Sequence, residues 1–448
     1  MDSKMKIHII PLALFAMLPA LASAADVTMD ASDGFGTSSF NSNLNWDNNN
    51  APSAGNAYFT GNFTLRTPAN TNDHTFGGDS LTINNTGAYP QGLFYKGTGT
   101  SASTGIITIN NLILAGGLIS HGQGDTQYFN LAGNITVGAD STIWAKQGPT
   151  NIYASISGSS DITIPVPDGN FATRVLTFYS TTSSFTGNLI NNGRFILADN
   201  AVFNFVIGEA GVNNSISGTG SITTINGDFT LDLTGATSTL GDSWLIVSAT
   251  GQTYGSTFSV VGFTDNLNDT WAKDINGTLS YLYNEGTGTL SVVNPYMAWA
   301  AGKGLDGTIG KENEPTDDPD NDGATNLEEF AFNGNPLIGS EKGGVYVLTA
   351  DTSNPGTDKE LVLTIAVLSS APAFIGSTSP SSSIAGITYS LEGSLNLSTF
   401  STAVNIIDPI TTNLPDLSGT NYEYRSFSLD GSAGLTAKGF LRAKVQLP

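Results

Sequence analysis

Asp318, Asp320 and Asp322 stand at alternate positions in DDPDNDGATNLEEF, followed by Gly323, Asn326 and Glu329. Counted from Asp318, this fits in full the twelve-residue calcium-loop pattern, with oxygen donors at positions 1, 3, 5, 7, 9 and 12 and glycine at 6. The chemistry implied is capture of a hard cation. Calcium takes six to eight oxygens at about 2.3–2.6 Å, and alternate residues of a tight turn aim theirs inward. On this count Asp318, Asp320 and Asp322 offer carboxylates, Ala324 its carbonyl, Asn326 its side chain, and Glu329 a closing bidentate carboxylate. Gly323 supplies the backbone freedom that the sharp turn requires. Charge argues the same way. Eight carboxylates lie between Glu312 and Glu329, with no Lys or Arg among them, so the stretch repels itself unless a cation is present. Ca2+ is the expected cofactor. The competing possibility is a solvated acidic linker.

Other residues with chemical potential are sparse. SHGQGD places His121 near Asp125, and an imidazole beside a carboxylate can move protons. In so glycine-rich a turn a surface loop is the plainer expectation. His74 is the other histidine beyond the first residues, and neither sits in a nucleophile motif. A polysaccharide lyase would need a base and cations for an acidic sugar. Residues 25–294 hold six basic residues, Arg66, Lys96, Lys146, Arg174, Arg194 and Lys273, scattered along the chain without pairing. Trp46, Trp144, Trp244, Trp271 and Trp299 could grip sugars, but single tryptophans more often pack a core. Trp299 is expected to dock the connector onto a domain. No catalytic residue is assigned, and an enzyme is not expected.

The elements around these residues are nearly all strands. From Asp26 to Asn294 short runs such as SLTINNTG, ITINNLILAG and SISGTGSITTINGDFTLDL alternate apolar and polar residues, the period of a strand. Turn residues recur every eight to twelve positions. A sandwich would carry longer strands, and a propeller a blade repeat of about 40 residues with an aromatic signature. Many short strands with self-similar small-residue turns suit a β-solenoid best. The texture changes at Pro295. Residues 295–340 read as a connector with two short helices, YMAWAAGKGL and NLEEFAF, the second stopped by Gly334 and Pro336. Residues 341–448 carry longer strands, seven or so, which suggest a small β-sandwich.

The chain opens with Lys4 and Lys6, an apolar run from Ile9 to Leu21, and Ala22-Ser23-Ala24, the pattern of a secretory signal peptide over 1–24. No later stretch approaches the ~20 apolar residues of a spanning helix. There is no cysteine, so stability must come from core, hydrogen bonds or metal. Net charge is −22, which disfavours nucleic acid and anionic lipid and favours divalent cations.

NWDNNNAPSAGNAYF, TFGGDSLTI and the stretch from SISGTGSITTINGDF to GTGTLSVV resemble the autotransporter-type β-strand-repeat proteins that bacteria secrete. That resemblance covers most of residues 40–294 and implies a right-handed parallel β-helix over 25–294. The acidic loop is single, and its position 8 is Thr325, where paired sensor loops carry an apolar residue. It therefore resembles the structural calcium clips of dockerins and thrombospondin type 3 repeats more than an EF-hand switch. Together these patterns lead us to expect a secreted, calcium-stabilised structural or adhesive protein of the cell surface, without catalytic activity. The alternative is a β-helix that binds or processes extracellular polysaccharide.

Overall fold

The computed structural model describes residues 24–447 except 69, 86–87, 97–104, 123–125, 170, 353–358, 431 and 433–438. The expected leader thus lies outside the described residues, apart from Ala24. The described chain is mostly β, with parallel sheets and two helices.

Short alternating strands cannot bury an apolar face alone, so each must find a partner. From Ala25 to Tyr254 that partner is, with few exceptions, a later strand running parallel, and most strands fall into two sheets, with Val202–Val206 and Asp228–Asp232 paired in a third. In the first sheet Leu131 aligns with Ile152, Ile152 with Phe178, Phe178 with Leu197, and Leu197 with Ile225. In the second, Leu65, Leu93, Ile119 and Ile143 form one column. Ile162, Leu189 and Ile216 form another. All these side chains are buried, and they share one apolar core that runs from Val27 to Val292. Each such side chain contributes about 1.5–3 kcal/mol by leaving water.

Polar corners fix the stacking. The amide of Asp161 donates to Asp140 Oδ1, that of Asn188 to Asp161 Oδ1, and that of Ser215 to Asn188 Oδ1, each at 2.9 Å. Within the first sheet, Asn151 Nδ2 donates to Asn130 Oδ1 of the paired strand at 2.8 Å. At Gly158, φ is +103° and a Cβ would come within 2.3 Å of the Val137 carbonyl, so only glycine fits there.

The parallel pairing does not continue to residue 294 as the sequence pattern suggests. Strands Ser243–Leu245, Thr264–Asp265, Thr270–Asp274, Ser280–Asn284 and Thr289–Val293 form an antiparallel sheet. The cause is turn length. Asn276 accepts from the amides of Thr278 and Leu279 in a tight loop, and so short a connection joins only antiparallel neighbours.

Helix α1 (Pro295–Gly302) follows directly, capped by Asn294 with proline in its first turn. Helix α2 (Asn326–Phe332) begins with a capping box between Thr325 and Glu328 and ends at Asn333 in left-handed conformation. Beyond it, among the described residues, seven strands form two antiparallel sheets, one of four and one of three. Leu363, Ile365 and Phe427 from one meet Tyr389 and Leu391 from the other in a second core, which also takes in Tyr296, Phe330 and Phe332.

Candidate metal centre

The acidic loop is shaped by its own backbone. Asp318 Oδ2 accepts from the Gly323 amide at 2.9 Å, and Asp318 Oδ1 and Asp320 Oδ1 both accept from the Asp322 amide at 3.1 Å. Asp322 Oδ1 accepts from the Ala324 amide at 2.8 Å. Asn321 at φ +58° and Gly323 at φ +92° make the turn. Asp318, Asp320 and Asp322 each place a carboxylate oxygen within 4.8 Å of the other two. Such a triad can hold a metal ion.

Two of those aspartates keep an oxygen in reserve. Asp320 Oδ2 and Asp322 Oδ2 are buried and have no hydrogen-bond partner. Glu329, in the first turns of α2, is fully buried, and both its carboxylate oxygens lack a partner. It falls outside the 4.8 Å group but within its field. Burial first, then the charges of Asp320, Asp322 and Asp318, push its carboxyl up to about 8. Burial and Asp322 likewise raise Asp320. An ionised carboxylate without a partner is costly to bury, so this is a cluster of oxygens with unmet demand for positive charge.

The remaining expected ligands divide. Ala324 is buried beside the loop. Asn326 is fully buried, but its Nδ2 donates to the carbonyls of Glu312 and Glu314 at 3.0 and 2.9 Å. That fastens the start of α2 to the segment before the loop. Its Oδ1 has no hydrogen-bond partner.

Residues beyond the motif complete the surroundings. Lys342 Nζ donates to the Asp322 carbonyl and lies 3.9 Å from Asp322 Oδ1. Gly334 packs so closely that a Cβ there would lie 2.8 Å from Glu329 Cβ. Gly339 faces Asp322. Glycines at 334 and 339 in NGNPLIGSEK are the only sequence signal for this cover, and they do not identify what they cover. The loop is tied to the C-terminal core through α2. Tyr422 Oη donates to the Phe330 carbonyl at 2.6 Å, and Tyr389 Oη to that of Ala331 at 2.8 Å.

His121 is buried, bonded through Nε2 to the Gln127 carbonyl at 2.7 Å and packed on Tyr95. It is a core histidine, where the sequence suggested a surface loop. Asp125 lies outside the described residues. Trp46 and Trp244 are buried. Trp299 packs on Tyr296 and Phe330, as a docking residue should. One expectation is reversed. The basic residues are not scattered in space, because Arg66, Lys96, Lys146, Arg174 and Arg194 gather on one flank of the parallel-stranded region, through contacts described below. No protein-family model, curated protein or solved structure matches this chain.

Proposed function

We propose that this chain is an exported, calcium-clipped structural or adhesive protein of the cell surface, without catalytic activity. Its architecture is then a right-handed parallel β-helix, a helical connector bearing the calcium loop, and a C-terminal β-sandwich. The parallel stacking of successive strands, with polar corners bonded along the stack, supports the first part.

The observation that carries the calcium reading is Glu329, fully buried with both oxygens unpartnered beside Asp318, Asp320 and Asp322. A divalent cation would meet that demand. The donors are all oxygen, which excludes a soft-metal preference. A loop cage of protein oxygens suits calcium better than magnesium, which keeps its waters and demands strict octahedral geometry. Asp318, Asp320, Asp322 and Glu329 supply carboxylates, Ala324 a carbonyl and Asn326 its Oδ1, while Asn326 Nδ2 braces the loop. Its place in the connector, tied through α2 to the C-terminal core, fits a clip, since ordering the loop orders the connector.

The non-catalytic reading draws support from His121, which is locked in the core. Calorimetric titration with calcium and with magnesium is the test. Calcium should bind with Kd between about 10⁻⁷ and 10⁻³ M and magnesium more weakly. Absence of calcium binding, and cleavage of the connector at the same rate in chelator as in calcium, would overturn the clip.

A further inference from the structure

On the outer face of the second parallel sheet, four residues from four successive strands stand in register. Arg66 aligns with Phe94, Phe94 with Ser120, and Ser120 with Trp144. With strands about 4.8 Å apart, the row runs roughly 14 Å along the stack. Tyr89 lies over it, its ring 5.8 Å from Phe94 and 5.7 Å from Trp144, and Ser120 is fully covered. The cations are laid on these rings. Arg66 sits 4.6 Å over Phe94. Lys146 sits 4.6 Å from the Tyr89 ring and 5.0 Å from that of Trp144. The next loop continues the strip. Lys146 pairs with Asp168, Arg174 donates to the Asp168 carbonyl, and Arg174 stacks 4.3 Å over Phe171.

Behind this surface lie two more cations. Arg194 donates to the Phe171 carbonyl, and Lys96 Nζ to the Thr37 carbonyl at 2.7 Å. Both are buried, so they add field rather than contact. Two carboxylates oppose them. Asp33 is buried and bonded to Ser39, Asn45 and the Arg66 amide. Asp168 is 42% exposed, and Lys146, paired with it, 13%. Among the described residues, five of the six basic residues between 25 and 294 thus meet two acids on one flank of a protein whose net charge is −22. Beyond a screening length of about 8 Å the acidic remainder fades, so the strip presents a local positive field with exposed ring surface at Tyr89 and Phe171.

We propose that this flank binds an acidic polysaccharide laid along the strand stack, its sugar faces on Tyr89 and Phe171 and its carboxylate or sulfate groups on Arg66, Lys146 and Arg174. Aromatic faces interleaved with spaced cations match a chain of rings with one charge per sugar. Duplex nucleic acid, with a charge each ~1.7 Å, would extend onto the acidic remainder of the surface. The inference rests on the adhesive part of the proposed function, for which it names the ligand class.

The test is affinity electrophoresis of the whole chain in saturating calcium through gels containing polygalacturonate, dextran sulfate, neutral dextran or single-stranded poly(dT). The expected result is retardation by one or both acidic glycans, weakening with salt, and none by neutral dextran. Polygalacturonate against dextran sulfate separates carboxylate from sulfate. Lys146→Gln and Tyr89→Ala should each weaken retardation about tenfold, while Lys311→Gln on the exposed connector leaves it unchanged. Should Tyr89→Ala fail to fold, Lys146→Gln together with Arg174→Gln decides. Equal retardation by poly(dT), retardation by neutral dextran, or wild-type behaviour of Lys146→Gln would overturn the site. Reducing ends released from a bound glycan would end the non-catalytic reading yet leave the site standing. No retardation alongside intact calcium binding would end the site and leave the clip.

Discussion

Glu329 makes opposite demands on the protein with and without a cation. Without one, its carboxylate is buried beside three aspartates, which raises its pKa to about 8. Glu329→Gln removes that burden but also the closing ligand. Melting temperature should therefore rise in chelator and fall in calcium relative to wild type, with calcium affinity reduced at least tenfold, about 1.4 kcal/mol. A variant that loses stability in both conditions would make Glu329 a packing residue only. The same group sets a pH dependence. Its folded pKa lies above the ordinary 4.5, so between these values the folded state holds more protons than the unfolded one. Stability is then greatest below the unfolded pKa and is lost as pH rises toward 8. In chelator, melting temperature should fall from pH 5 to pH 8.5, and saturating calcium should abolish that fall. Invariance in chelator would mean that Glu329 is solvated there. This site was legible in the sequence because its donors lie within twelve consecutive residues, where spacing alone sets geometry. Lys342 and the cover at Gly334 were not, because they return to the loop only after α2 and its stop.

At the scale of elements, α1 joins two cores. Ala298 packs with Leu282 and Val293 on the antiparallel sheet, while Tyr296, Ala300 and Trp299 belong to the C-terminal core. The sheet side is held by a left-handed turn, in which Leu267, Asn268 and Asp269 have φ of +67°, +46° and +58°. Three successive non-glycine residues in that conformation cost backbone energy. The turn is held by Asn266 Nδ2, which donates to the Ala298 carbonyl at 2.7 Å, and by Asn268 Nδ2, which donates to that of Gly302. Asn268→Gly keeps the backbone permissive and deletes only the carboxamide. It should loosen α1 and speed limited proteolysis between residues 303 and 317 severalfold, with little change in calcium affinity. An unchanged cleavage rate would show that Asn266 and the apolar contacts suffice. Gly302→Ala is the harsher change, since its Cβ would come 2.4 Å from the Asn266 carbonyl. It should cost about 1–3 kcal/mol in denaturant unfolding. Helix α1 was legible from its helical spacing after Pro295, and α2 from its stop at Gly334 and Pro336. The turn that grips α1 was not, because its function depends on a partner about 30 residues further along the chain.

Across the whole molecule, strands were legible and their partners were not. Period-two alternation shows which residues face inward, but partners lie 19 residues apart at Leu176 and Phe195 and 29 apart at Thr223 and Gln252. With a repeat so uneven, nothing in the sequence aligns Arg66, Phe94 and Trp144, and the basic strip emerges only from register. Nor does alternation distinguish parallel from antiparallel pairing, so residues 243–293 looked like a continuation of the stack. The larger division was visible at Pro295, and it carries a thermodynamic consequence. One apolar core spans Val27 to Val292, and a second spans Tyr296 to Phe427. The acidic loop is tied to the second, through Phe330 and the bonds from Tyr389 and Tyr422. Scanning calorimetry should resolve two transitions, of which calcium moves one. At a hundred times Kd, binding adds about 2.7 kcal/mol. For a unit of about 150 residues each kcal/mol is worth about 2–4 °C, so the shift should be about 5–11 °C. Glu329→Gln should shrink that shift and leave the other transition in place. Equal movement of both transitions would mean that α1 couples the cores into one cooperative unit, and the loop would then stabilise the whole stack rather than the C-terminal part alone.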